Sequence, residues 1–134
     1  MVTMSVELRN IAGTEAALGW AGGHTIVADR AEGVAGGKGI GFNGGQLLAL
    51  AIGGCFCNDL RYVAHDMGAR ISEISVTVTI ELEGKPFVTK SALMEVSLRT
   101  GDDTKPETII ETAKKICTVS NSVSRGFPVE INMA

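Results

Sequence analysis

The segment Gln46–Met67, with the sequence QLLALAIGGCFCNDLRYVAHDM, decides the fold of this 134-residue chain. It contains no proline and is followed by Gly68, a residue type that commonly ends helices. Its first half is apolar nearly all round and its second half gains charged side chains, which predicts one long helix that begins buried and emerges toward solvent. Two adjacent glycines, Gly53 and Gly54, cost this helix roughly 1 kcal/mol each relative to alanine, which indicates another backbone packed closely against it.

A long antiparallel hairpin is predicted after this helix. Ile74–Glu83 alternates apolar and polar residues, Gly84-Lys85-Pro86 turns the chain, and Val88–Arg99 alternates again. The pattern is typical of a two-stranded sheet with one face against a core and the other in water.

The segments before the helix are predicted to be strands and a loop. Val2–Leu8 alternates loosely, and Ala16–Ala21 and His24–Ala28 flank a Gly-Gly pair that suits a tight hairpin. Residues 30–45 hold seven of the 17 glycines and keep no core-forming period, so they are predicted to form a surface loop.

The C-terminal part completes the order of elements. Thr104 and Glu107 match a capping box around Pro106, which predicts the start of a helix that carries Cys117 on its apolar stripe. The helix is predicted to run on or restart through Ser120–Ser124, and Pro128–Met133 to close as an edge strand. Strands, helix, hairpin, helix and strand together predict a single domain of the α+β class with antiparallel sheets, residues 1–134.

Composition and charge exclude several classes of function. The formal net charge of -3 argues against nucleic-acid binding, which needs a surplus of Lys and Arg on one face. The longest apolar run, Leu47–Gly54, is far shorter than the ~20 residues of a membrane span. Met1–Val6 lacks the basic and apolar regions of a signal peptide. We therefore expect a cytoplasmic protein with neither a nucleic-acid nor a membrane partner.

The three cysteines could bind metal, do redox chemistry or fill the core. An odd number disfavours a structural disulfide framework. On a helix, Cys55 and Cys57 point about 200° apart and cannot share one ion, and His24 and His65 could complete a site only by long-range coincidence. We therefore predict no metal site.

Each cysteine by itself is most simply a small buried hydrophobe. That interpretation is favoured for Cys57, which shares its side of the helix with apolar neighbours. Cys55 and Cys117 are both predicted on inward-looking helix faces, where two cysteines can meet across a packing interface. A pair that meets could cycle between dithiol and disulfide, but the spacing does not show that they meet.

Two segments resemble the cysteine signatures of the OsmC/Ohr family. Phe42–Cys55, FNGGQLLALAIGGC, is similar to a helix start followed by a run of small residues into a cysteine, and Cys117–Val123, CTVSNSV, is similar to the cysteine segment that opens a helix near the C-terminus. Gly23–Asp29 and the hairpin also suit the family pattern. The resemblance spans nearly the whole chain.

The resemblance implies an intertwined homodimer in which antiparallel sheets wrap two central helices that carry the cysteines. It also implies a reaction: Cys55, as thiolate, attacks the O–O bond of an organic or hydrogen peroxide to become a sulfenic acid, and Cys117 condenses with it to a disulfide. A dithiol reductant, in some relatives a lipoyl group, restores the pair. No other cofactor is implied.

The sequence departs from the family at the groups that activate the first cysteine. Relatives use an N-terminal arginine held by a glutamate, whose position here falls on Gly45 or Gln46. Without them, a buried cysteine is pushed toward its neutral thiol. Asp59, one turn after Cys55, is expected to be solvated. Candidates to line the site are Gln46, His24 and Arg30.

Three hypotheses remain open. The first is a dimeric, thiol-dependent peroxidase of the oxidative-stress response, with Cys55 peroxidatic and Cys117 resolving. The second is a non-catalytic protein on the same scaffold that binds an apolar ligand at the dimer interface, which the missing glutamate favours. The third is a reductase or thiol-transfer protein for other sulfur substrates.

Overall fold

The computed structural model describes residues 1–134 as five strands and three helices. All strand pairs are antiparallel, so the predicted α+β class with antiparallel sheets is confirmed. The residues divide into two compact units, Met1–Leu48 and Ala49–Ala134. Because the chain divides in this way, the single domain remains a prediction.

The first unit holds a three-stranded sheet in the order β1-β2-β3. Strands β2 (Ala17–Ala21) and β3 (His24–Ala28) form the predicted hairpin. Strand β1 (Glu7–Asn10) is shorter and later than predicted. The reason is register: Glu7 already pairs with Trp20, and β2 extends only one residue beyond this pair, so the residues before Val6 have no partner on that strand.

A buried carboxylate, Asp29, organises the glycine-rich loop that follows β3. Its oxygens accept hydrogen bonds from the backbone amides of Arg30, Lys38 and Ile40 at 2.8, 3.0 and 3.2 Å. The Arg30 guanidinium lies 3.5 Å from the same carboxylate. Up to Asn43 the loop contains no helix and no named strand, as predicted, but the last two residues of the predicted loop, Gly44 and Gly45, belong to the first helix. The conformation of the loop is tied to one side chain.

Helix α1 (Gly44–Met67) is confirmed, but its burial differs from the prediction. The first turns were predicted to be buried, yet Leu50 is 45% exposed, because these apolar side chains are left uncovered within one chain. By length and composition α1 could also cross a membrane, a property shared by core helices of soluble proteins. Here a stripe along the helix is buried: Ile52, Gly53, Phe56, Asp59, Leu60, Val63 and Ala64.

The second unit contains the predicted hairpin, formed by β4 (Ile71–Glu83) and β5 (Val88–Thr100). A Cβ at Gly53 would lie 2.9 Å from Cγ2 of Val78, so β4 approaches α1 closely there. The sequence predicted that another backbone packs against Gly53 and Gly54, but the atom that approaches Gly53 belongs to a side chain. A Cβ at Gly54 would meet open space.

Two short helices close the core of the second unit: α2 (Pro106–Ile116) and α3 (Thr118–Arg125). Proline is in the first turn of α2 as predicted, but the capping box is wrong, because Lys105 is the N-cap and the Thr104 amide bonds to Asp102. The restart as α3 is confirmed. The predicted strand Pro128–Met133 is wrong, since this exposed segment pairs with no other strand of the chain.

Candidate functional site

The two cysteines of the predicted redox pair lie next to each other. Cys55 Sγ, Cys117 Sγ and a carboxylate oxygen of Asp59 all lie within 4.8 Å of one another. Both thiols are free. A disulfide needs its sulfurs about 2 Å apart, so a small side-chain movement would join them. The sequence spacing did not show whether Cys55 and Cys117 meet, and in the structure they do.

Cys117 is positioned by a break in the backbone and not by a helix. It is at once the residue that ends α2 and the residue that precedes α3, with φ -65° and ψ 107°. The prediction that it lies on a helix is therefore wrong. The apolar stripe of α2, which includes Ile109 and Ala113, packs in one core with Phe56 and Leu60 of α1 and so brings this break to Cys55.

The predicted environment of Asp59 is wrong. It was expected to be solvated, but only 7% of its surface is exposed. Residues four apart lie on one helix face, and the face shared by Cys55 and Asp59 is the one the core covers. The Cys55 thiol donates a hydrogen bond to Asp59 Oδ2 at 3.6 Å.

A small cavity of about 140 Å³ borders Cys117. The Cys117 thiol is fully buried and donates a hydrogen bond to Ser120 Oγ at 3.3 Å. Most of the lining is apolar. The lining residues are Phe56, Met94, Val96, Ile110, Lys114, Cys117 and Ser120.

The surroundings of Cys55 favour its neutral thiol. Burial raises the pKa of Cys55 above its ordinary value of 9.0, although the backbone amide of Val119 acts in the opposite direction. The Cys117 thiol and the Asp59 carboxylate raise this pKa further, because negative charge opposes the formation of a thiolate. The Val119 amide is available because the first amides of a helix have no partner within it.

Cys57 differs from the other two cysteines. It is half-buried and was predicted to be a core filler, but it is not among the buried core residues of the second unit. It points away from Cys55 around α1, as the helical spacing predicts.

The other candidate site residues lie in the first unit. Gln46 caps α1 with Asn43: each backbone amide donates to the other's side-chain oxygen, at 2.9 and 3.0 Å. His24 is exposed at the start of β3 and lines an apolar cavity within that unit. Arg30 donates to the Glu15 carbonyl and lies beside Asp29. Their roles as lining residues stay predictions.

The family model for OsmC-like proteins matches residues 36–132, a range that includes both cysteines. The chain belongs to the OsmC-like protein family. A search of curated proteins found no match.

Solved structures of this family share its fold. An OsmC-like protein from Mycoplasma pneumoniae is similar with a TM-score of 0.74 at 14% identity, over 92% of this chain and 88% of that one. An organic hydroperoxide resistance protein from Elizabethkingia anophelis is similar with a TM-score of 0.62 at 21% identity, over 94% and 90% of the two chains. One from Legionella pneumophila has a TM-score of 0.57 at 20% identity, over 90% and 88%. At these identities the likeness shows the fold.

Proposed function

We propose that this OsmC-like protein is a thiol peroxidase in which Cys55 attacks the peroxide and Cys117 resolves the product. The observation that carries the proposal is the approach of the two sulfurs to within 4.8 Å. Two free thiols this close in a reducing compartment suit a cycle between dithiol and disulfide.

The proposed reaction consumes one peroxide and forms one disulfide. The Cys55 thiolate attacks one oxygen of the O–O bond, the bond breaks, and an alcohol leaves with the proton from the thiol, so that Cys55 becomes a sulfenic acid. The Cys117 thiol then attacks the Cys55 sulfur and water leaves. An external dithiol, such as a lipoyl group, supplies the two electrons and two protons that regenerate both thiols.

An organic hydroperoxide is the proposed substrate. The cavity beside Cys117 is lined mainly by apolar side chains, which suits the alkyl part of such a molecule better than hydrogen peroxide. Family members with this fold include the organic hydroperoxide resistance proteins of Elizabethkingia anophelis and Legionella pneumophila. These likenesses support a role in peroxide resistance, and the proposed compartment is the cytoplasm.

The proposal includes a homodimer. Large apolar side chains are exposed along α1, β5 and the C-terminal segment, among them Leu50, Leu93 and Ile131. Large apolar side chains left exposed in this number are what a protein–protein interface would cover. The alternating residues Val129, Ile131 and Met133, which find no strand partner in one chain, are suited to pairing with a second copy.

A coupled peroxide assay with a dithiol reductant tests this function. Wild-type protein is expected to consume an organic hydroperoxide, Cys55→Ser to lose nearly all activity, and Cys117→Ser to turn over once and stop at the sulfenic acid. Cys57→Ser is the matched control and is expected to behave as wild type. The rate should rise toward alkaline pH, because the pKa of Cys55 is raised and the thiolate is the nucleophile. Equal rates for wild type and Cys55→Ser would exclude the enzyme.

The binding of an apolar ligand without catalysis is the second candidate. It is favoured by a cavity of about 310 Å³ in the first unit, lined almost entirely by apolar atoms and including Leu8, Trp20 and Ile26. Trp20 is the single tryptophan, so its fluorescence would report occupancy directly. This candidate predicts a saturable change in that fluorescence with an apolar ligand, together with no consumption of peroxide.

A further inference from the structure

The cluster of Cys55, Asp59 and Cys117 has the composition and spacing of a metal site. From the known zinc–sulfur and zinc–oxygen bond lengths, the ligand atoms of a tetrahedral zinc ion lie about 3.5 to 3.8 Å apart. The Cys55 Sγ to Asp59 Oδ2 distance is 3.6 Å, and all three ligand atoms are within 4.8 Å of one another. A contraction of about 1 Å at most would therefore complete the geometry.

We propose that the reduced protein binds one thiophilic divalent cation, of the zinc type, through Cys55 Sγ, Asp59 Oδ2 and Cys117 Sγ. The sequence argued against a metal site because Cys55 and Cys57 cannot converge on one ion from the same helix. The set that converges contains residues four apart on α1 and a third residue from the break between α2 and α3.

The choice of cation follows from the donor atoms. Two thiolates select zinc-like or softer ions over magnesium or calcium, which prefer oxygen ligands, and the carboxylate is a common third ligand for zinc. Three protein ligands leave one position open. That position can be filled by water or by a small ligand, as in zinc sites that exchange their fourth ligand.

A bound cation also explains why a carboxylate is buried against a thiol. For a thiolate nucleophile, the Asp59 charge is unfavourable, because negative charges placed close together repel. For a divalent cation, the same carboxylate and the two sulfurs supply the compensating charge. Binding releases two protons, one from each thiol, and gives a site with a net charge of about -1.

The proposal also links metal occupancy to the redox state of the pair. In a disulfide, neither sulfur carries the charge that a metal ligand needs, so oxidised protein loses two of its three ligands. When peroxide oxidises the metal-bound pair, two thiolates, one hydroperoxide and two protons give the disulfide, an alcohol and water, and the ion leaves. Metal binding itself needs no peroxide turnover, so the proposal stands or fails separately from the peroxidase.

Cobalt(II) is the probe, because its visible and near-ultraviolet bands report tetrahedral geometry and bonds to thiolate. Reduced, metal-free, full-length protein is titrated with Co²⁺ and then with Zn²⁺, which should displace it. Wild type and the control Cys57→Ser are expected to bind one ion per chain with thiolate-to-cobalt bands. Cys117→Ser should lose part of these bands. Asp59→Asn should bind at least about tenfold more weakly.

Two further observations decide between a metal site and a purely structural role of these residues. Wild-type protein oxidised to the disulfide retains every side chain and is expected to show no cobalt–thiolate bands, so a failure of folding cannot imitate this result. Absence of the bands in reduced wild type, equal affinity in Asp59→Asn, or loss of the bands in Cys57→Ser would each overturn the proposal.

Discussion

Two aspartates of this chain are buried, Asp29 in the first unit and Asp59 in the second, and they are held in different ways. Asp29 accepts three backbone amides and has the Arg30 guanidinium beside it. Asp59 accepts one hydrogen bond, from the thiol of Cys55. The exposed fractions, 5% and 7%, are nearly equal, so the difference lies in the partners.

The partners indicate what each carboxylate does. Burial by itself would raise the pKa of Asp29, but the amides of Ile40, Arg30 and Lys38, together with the Arg30 charge, bring it below its ordinary value of 3.8. Such a carboxylate is satisfied by backbone and stabilises a loop. A buried carboxylate whose partner is itself ionisable is instead typical of chemical sites, because proton, metal or electron transfer can change the charge of that partner.

The largest effect on stability is expected from Asp29→Ala. The substitution leaves three partly buried backbone hydrogen bonds without their acceptor and removes the charge beside Arg30. Thermal unfolding should shift further down than for Asp59→Asn, and trypsin should cleave after Arg30 and Lys38 faster than in wild type. Asp29→Asn, which keeps one acceptor oxygen, is the matched variant and should fall between. If Asp29→Ala unfolded at the same temperature as wild type, the loop would not depend on this carboxylate.

The difference between the two aspartates also shows where sequence reasoning succeeds. Local sequence signals located both α1 and the β4–β5 hairpin: a proline-free apolar segment that stops at Gly68 for the helix, and alternating apolar and polar residues for the strands. The meeting of Cys55 and Cys117 was implied by family resemblance but could not follow from spacing. It depends on how α2 packs in the core, which is a property of three-dimensional contacts.

Asp59 and Cys117 were misplaced for separate reasons. Asp59 was expected in water because charged residues are rarely buried, although its position four residues after Cys55 was a signal that both share one helix face. Cys117 continues the apolar stripe of α2, and its residue type does not indicate that the helix breaks there. The C-terminal strand was wrong because alternation does not supply a partner strand.

A second prediction concerns the reactivity of Cys55 in a Cys57→Ser background. Asp59→Asn removes one of the charges that raise the pKa of Cys55, so the thiolate fraction at neutral pH should increase. Alkylation of Cys55, followed by mass spectrometry of its peptide, is expected to be several-fold faster. Asp29→Asn should leave the rate unchanged. A slower rate in Asp59→Asn would instead mean that the carboxylate takes the proton from the thiol during the attack.

The smallest effect is expected from acid. Asp29 and Asp102 both have a pKa below 3.8 in the folded chain, Asp102 chiefly because the backbone amides of Thr104 and Arg70 donate to it. A carboxylate with a lowered pKa stabilises the fold while it is ionised, so this contribution is present above about pH 4 and is lost as the pH falls through the folded pKa values. The unfolding temperature should therefore decline below about pH 4, and less steeply in Asp29→Asn than in wild type. Glu32→Gln, an exposed carboxylate in the same loop, is the control. If the unfolding temperatures of Asp29→Asn and wild type declined with the same slope, the hydrogen bonds from the surrounding amides would not explain the different behaviour of Asp29 and Asp59.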